Sequence, residues 1–228
     1  MSVFLSFQED GSFQFTTAGY TVIVLIIAGL MILGSAHFTK KRGIHPKQLA
    51  FSAIALSLAV VLSNIKFIKL PMGGSVTLFS MLFVVLIGYW FGLGAGLTSA
   101  ITYGCLQLFI DPYLISFPQL IVDYILAFGA LGLSGLFHGK KNGLIFGYLT
   151  GVAGRFVFST LSGVIFFGAY APEEFPNPFV YSAAYNGSYL GIEAGITVGI
   201  LLIPQVQRAF RYVGSLASDG TQPESDPA

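Results

Sequence analysis

The sequence predicts an all-α integral membrane protein, and three observations predict it. Only 9% of the residues are charged and 54% are hydrophobic, against roughly 25% charged in a soluble domain, so the chain cannot solvate an ordinary surface. Its apolar runs reach about 17 residues or more, the length a helix needs to cross the hydrocarbon core. Small residues recur at four-residue spacing within those runs, which lets helices approach closely in lipid. The net charge of +1 gives no electrostatic case for nucleic acid. The single cysteine, Cys105, excludes an internal disulfide and reads as a small buried residue.

Seven spans follow in order: 17–37, 47–64, 75–91, 93–110, 117–136, 143–168 and 180–204. The first has no basic flank on its N-terminal side. It follows Glu9 and Asp10 and precedes Lys40, Lys41 and Arg42, so it reads as a retained helix and not as a signal peptide. The second carries Ala55 and Ala59 beside Ser52, a patch that suits internal packing or a partner subunit. Between the second and third lies NIKFIKLPMGGSVTL, and between the sixth and seventh GAYAPEEFPNPFVYSAAYNGSY. Pro and Gly fix turns in both, and their aromatics suit either a lid over a pocket or the interfacial belt. Gly143, Gly147 and Gly151 stripe the sixth span, and Ala183, Gly187, Gly191, Gly195 and Gly199 the seventh. Both stripes are expected to pack inside the bundle. After Gly214 the chain turns polar and is expected to be disordered. The organisation is thus an N-terminal segment, 1–46, a membrane domain, 47–212, and a polar tail, 213–228.

Lys and Arg placement orients the bundle. With the N-terminus outside, the inner side receives Lys40, Lys41, Arg42, Lys47, Lys140, Lys141, Arg208 and Arg211, most of the 11 basic residues. The outer side receives Lys66 and Lys69, with Glu9, Asp10, Asp111, Glu173 and Glu174. The expectation is a multi-pass protein of the cell membrane with its C-terminus in the cytoplasm.

Three ionisable residues fall within the spans: Asp123, Arg155 and Glu193. A charge in hydrocarbon costs from a few to more than ten kcal/mol, so such residues face the bundle interior and mark functional sites by default. Arg155, Ser159, Ser162 and Phe166 share one helical face of the sixth span, and Asn186, Tyr189 and Glu193 one face of the seventh. Asp123 and Tyr124 lie in the outer third of the fifth. Two readings stand. Arg155 pairs with Glu193 or Asp123 to hold helices together, or these residues line a ligand pocket in the outer half. The second predicts carboxylate and amide groups for donors, with Tyr and Phe faces for a flat or cationic ring.

Gly132-Leu133-Ser134-Gly135 matches the G-x-S-G of rhomboid-type intramembrane proteases. Such a serine needs a base delivered from another helix. The histidines are His37, His45 and His138, and His138 lies on the same segment, so Ser134 reads as a packing residue. No P-loop, CxxC or HExxH is present, which predicts no cofactor, no metal and no enzyme activity. Asn186-Gly187-Ser188 is formally a glycosylation sequon, read as incidental at a helix start.

The strings DYILAF, SGVIFFGAYAPE and YSAAYNGSY, with the segments around them, resemble the thiamine-specific S-components of energy-coupling factor (ECF) vitamin transporters. The similarity covers about residues 47–212, six of the seven spans. It implies a six-helix S-component bundle, here preceded by one extra N-terminal transmembrane helix. It also implies capture of one vitamin from outside, with a coupling transmembrane protein and two cytoplasmic ATPases as partners. Carried over residue by residue, the family's acid and tyrosine are Asp123 and Tyr124, and its basic residue is Arg155. Its later Tyr and Asn are Tyr181 and Asn186. The chain departs at two places: the family's His is Ser159, and the Trp that stacks in some members is Phe167. Trp90, at the inner end of its span, cannot replace that ring, and Phe67 is a weak counterpart of the family's first-loop aromatic. The family's small-residue contact with the coupling protein corresponds to the span of Ala55 and Ala59. Thiamine is therefore the expected ligand, with a related pyrimidine or thiazole compound, or another vitamin, as the variant reading. A membrane enzyme or a scaffold without transport is the alternative from a different class.

Overall fold

The computed structural model describes residues 5–7, 13–16, 18–19, 21–22, 25–26, 29, 46–113, 115–168, 172 and 177–218. Most of the expected span 17–37, the basic run 40–42, His37, His45 and the acids Glu173 and Glu174 lie outside the described residues. Two short strands near the N-terminus, β1 (Leu5–Phe7) and β2 (Phe13–Phe15), pair antiparallel. The rest of the described residues form a helical bundle with one hairpin.

The bundle begins with α1 (Pro46–Ser63), opened by a proline at a position where its missing N–H has no partner to lose. Next come β3 (Lys66–Lys69) and β4 (Ser75–Thr77), an antiparallel hairpin with an irregularity between Lys66 and Ile68. Its tip holds Met72 at φ 60° and Gly73 at φ 91°, the left-handed turn that a tight reversal requires. The helix α2 (Ser80–Phe91) follows Phe79, itself left-handed at φ 58°. Then come α3 (Leu93–Ile110), α4 (Phe117–Phe137), α5 (Gly143–Phe166), α6 (Pro178–Leu201) and α7 (Pro204–Ser218). Among the described residues α1, α3, α4 and α5 are long and apolar enough to cross a membrane. The pair α6 and α7 also qualifies, with a bend of 87° between them.

At the centre lies α2, packed against α1, α3, α4, α5 and α7. Met81, Val84, Val85, Leu86 and Ile87 are wholly buried, which is why this helix is apolar on every side. The spacing predicts one span over 75–91, but the outer part of that run is strand and turn. A short apolar run rich in Val and Leu fits either a strand or a buried helix, and pairing with β3 decides it. Glycines set the close crossings. Gly96 of α3 meets Gly132 of α4 backbone to backbone, and Gly147 and Gly151 of α5 lie on Ser134 and Leu131 of α4.

Three features differ from expectation. Ala55 and Ala59 are 3% and 0% exposed in the core that α1 forms with α2, so this small-residue patch is taken up by packing within the chain. The stripe on α6 behaves in the opposite way: a methyl group added at Gly191, Gly195 or Gly199 would meet nothing within 4 Å. The polar face of α6 turns inward instead, and the glycines face out. The expected tail is helical through Ser218, because α7 is amphipathic and docks Val206, Phe210 and Val213 on the core. The Trp90 indole N–H donates to the Phe210 carbonyl at 2.9 Å, and Gly214 lies against its ring.

Candidate functional site

One end of the bundle encloses a cavity of about 440 Å³. Asp123, Tyr124, Arg155, Ser159, Phe167, Tyr181, Asn186 and Glu193 all line it, brought together from α4, α5 and α6. The hairpin supplies Lys66, Lys69 and Thr77, the start of α2 supplies Ser80, and α3 supplies Tyr103 and Gln107. The basic residues Lys140, Lys141, Arg208 and Arg211 belong to the α4–α5 turn and to α7, away from this lining. Trp90, bonded to α7, is likewise outside it.

The acid and its tyrosine sit in an irregular stretch. After one α-helical turn, α4 widens into a π-helical segment over Ile121–Ala127 and tightens into 3-10 geometry over Ala130–Phe137. Such widened turns recur at functional sites. The Tyr124 carbonyl lies so close to Gly104 of α3 that no Cβ would fit there. Asp123 Oδ2 accepts from Gln119 Nε2 at 2.5 Å, and the same amide nitrogen donates to the Tyr113 carbonyl at 3.1 Å. Gln119 Oε1 accepts from the Ile115 N–H at 3.1 Å. Tyr124 adds to this: its hydroxyl accepts from the Tyr113 N–H at 2.7 Å and donates to the Asp111 carbonyl at 3.2 Å. Together Gln119 and Tyr124 hold the α3–α4 loop over the cavity. Tyr124→Phe removes both hydroxyl bonds and is expected to cost about 1–3 kcal/mol of stability, at 0.5–1.5 kcal/mol per bond. A lowered thermal midpoint, with new protease sensitivity at residues 111–116, would report it.

On α5, Arg155 places its guanidinium over the Phe128 ring, 4.1 Å from the centroid, a cation–π contact. Its Nε is buried without a hydrogen-bond partner. Among the described residues the ion pair within 4.0 Å is Lys66–Asp111, which ties the hairpin to the α3–α4 loop. The first of the two readings, Arg155 paired with Asp123 or Glu193, is therefore not formed. Phe167 stacks on Tyr113 with ring centroids 6.0 Å apart. Its neighbour Phe166, placed by helical spacing on the Arg155 face, packs instead with Ile121, Val122 and Leu126. The register slips because α5 ends there, and residue 167 leaves the helix.

On α6, Asn186 is internally satisfied. Its Nδ2 donates to the carbonyls of Ser182 (3.0 Å) and Ser159 (3.2 Å), and its Oδ1 accepts from the Tyr189 hydroxyl at 2.9 Å. It fastens α6 to α5, and at 5% exposure the sequon it begins is inaccessible in the fold. Tyr181, Tyr185 and Tyr189 form a ladder, with centroids 6.3 and 5.8 Å apart. Tyr185 also bonds the hairpin tip, accepting from the Gly74 N–H at 2.9 Å and donating to the Pro71 carbonyl. Glu193, 3% exposed, accepts from both the N–H and the hydroxyl of Thr77 at 2.8 Å.

Tyr113, Gln119, Thr77 and Tyr185 are site residues that sequence reasoning misses. Two carry a signal: Gln119 precedes Asp123 by one turn in an apolar run, and Tyr185 completes an i, i+4, i+8 tyrosine row. Phe67 is 65% exposed and outside the cavity. Ser134 donates to the Val85 carbonyl at 3.0 Å, and the His138 ring bonds the Tyr89 carbonyl, so among the described residues Ser134 and His138 do not pair.

The bundle and its cavity define a multi-pass membrane protein with a buried chamber lined by polar and aromatic side chains. A model of the family described as thiamine transporter protein matches residues 49–212. The chain belongs to that family. The thiamine transporter ThiT of Bacillus subtilis (strain 168) is 34% identical over 146 residues, covering 57% of this chain and 75% of that protein. The solved structure of ThiT from Listeria monocytogenes aligns with a TM-score of 0.58 at 25% identity, covering 72% of this chain and 96% of that one.

Proposed function

We propose that this chain is the substrate-binding membrane subunit of an ECF-type transporter and that it captures thiamine from outside the cell for ATP-driven uptake. The observation that carries this is the convergence of the two carboxylates of the spans, Asp123 and Glu193, one guanidinium and a set of tyrosine and phenylalanine rings on one buried cavity. Thiamine joins an aminopyrimidine to a cationic thiazolium ring. Its amine and ring nitrogens suit Asp123 and Arg155, and its flat rings suit Phe167 and Tyr181. Tyr124, Ser159 and Asn186 complete the wall, the last by holding α5 to α6. The cavity end faces outward in this reading, because the basic turn and α7 belong to the opposite end. A coupling membrane protein and two cytoplasmic ATPases act as partners, and the chain itself performs no catalytic step. The membrane domain is 47–212, with the preceding segment as an appendage.

The purified full chain is expected to bind thiamine tightly without ATP, measured by calorimetry or by quenching of its tyrosine and tryptophan fluorescence. Binding of neither thiamine nor its fragments would reject the assignment. Ser159 and Phe167, which give a shorter hydrogen-bonding group and a smaller ring than the family's His and Trp, favour a second reading. In that case a pyrimidine or thiazole relative of thiamine binds more tightly than thiamine.

A further inference from the structure

The least expected group in the cavity is Glu193. It lies seven residues beyond Asn186 on α6, about 10 Å further along the helix at 1.5 Å per residue, and so marks the far end of the lining. Its Oε2 is fully engaged by the two Thr77 donors, and Thr77 Oγ1 is in turn 2.6 Å from Ser80 Oγ. Its Oε1 is buried and has no hydrogen-bond partner. Arg155 is the other charged residue in the spans that lines this cavity with an orphaned polar atom, and its guanidinium is occupied by the Phe128 ring. If the carboxyl served only to hold the hairpin to α6, Oε2 alone would complete that task. A buried carboxylate without a cation is costly, and a ligand that brings the cation recovers the loss.

We infer that Glu193, through its free Oε1, is a specificity-determining residue that selects a ligand carrying positive charge at its deep end. The inference rests on the thiamine-binding reading above and adds an orientation to it: the thiazolium ring enters first, toward Glu193 and Ser80, and the aminopyrimidine stays near Asp123. Thr77 is the positioning residue, since its two donors fix the carboxylate through Oε2 and leave Oε1 unpartnered on a side chain that lines the cavity.

The test compares thiamine with its neutral isostere, in which a thiophene replaces the thiazolium, by calorimetry on the purified full chain. Wild type is expected to prefer thiamine by at least about tenfold, the equivalent of one well-placed charged contact. Glu193→Gln, which keeps the shape and an oxygen for Thr77, is expected to reduce that preference to less than about threefold while the isostere's affinity holds. Glu193→Asp, which keeps the charge but withdraws it, is expected to weaken thiamine alone. Equal affinity of wild type for the two ligands overturns the inference whatever the variants do. So does an equal loss of both ligands in Glu193→Gln at an unchanged melting temperature, or an undiminished preference. A wild-type chain that binds neither ligand instead rejects the thiamine reading itself.

Discussion

Asp123→Asn is expected to weaken thiamine binding by roughly 10–150-fold, the equivalent of about 1.5–3 kcal/mol for a hydrogen bond to a charged group. The melting temperature should barely change. The reason lies in what the carboxyl touches. Its protein partner is the Gln119 amide, which donates to Oδ2, and an asparagine oxygen can accept that same bond. Gln119 therefore keeps its hold on Tyr113 and Ile115. What the substitution removes is the charge and one acceptor facing the cavity. Calorimetry beside a thermal melt separates the alternatives. A large fall in melting temperature at unchanged affinity would assign Asp123 to the fold. The absence of a guanidinium within ion-pairing distance argues for the first outcome.

Gly132→Val is expected to have the largest effect on the fold. A Cβ at Gly132 would lie 2.5 Å from the Leu97 Cα and 2.6 Å from the Gly96 carbonyl carbon. These are backbone atoms, so no rotamer change relieves the clash and α3 must separate from α4. Overpacking typically costs about 1–3 kcal/mol and more when the backbone must move, so this site should reach or pass the upper end. Aggregation on size exclusion, or loss of the unfolding transition, would report it. Gly195→Ala on α6 is the control: its added methyl meets nothing within 4 Å. There a helix former replaces glycine, which is worth up to about 1 kcal/mol in a helix. A comparable loss at both sites would contradict the packing described for α3 and α4.

The sequence speaks most clearly where a residue is out of place in lipid. Asp123, Arg155 and Glu193 are conspicuous in apolar runs, and all three line one cavity because each is too costly to leave facing hydrocarbon. Family resemblance locates Phe167, and the end of α5 explains why helical spacing prefers Phe166. Direction is harder to read. Four-residue small-residue stripes have the same appearance whether they face in or out, so spacing puts Gly191, Gly195 and Gly199 inside although they face out. Ala55 and Ala59 suit a partner or internal packing equally by spacing, and they are buried in the core cluster. Neutral groups give little signal at all. Gln119 and Thr77 hold the two acids in place, but an isolated Gln or Thr in an apolar segment is ordinary. The helix at 204–218 is obscured for the opposite reason, since its exposed arginines and serines mask the row of Val206, Phe210 and Val213.

The shortness of α2 has a wider consequence. Its 12 residues rise about 18 Å, well short of the ~30 Å hydrocarbon thickness. A full-length central helix would run its own side chains through the space where Ser80, Tyr103, Arg155 and Glu193 now face one another. The chamber is thus an omission in the architecture: the chain stops building its axis halfway and folds a small hairpin across the gap. Substitutions in the walls would reshape this chamber without closing it, because the room itself is set by a helix that ends early.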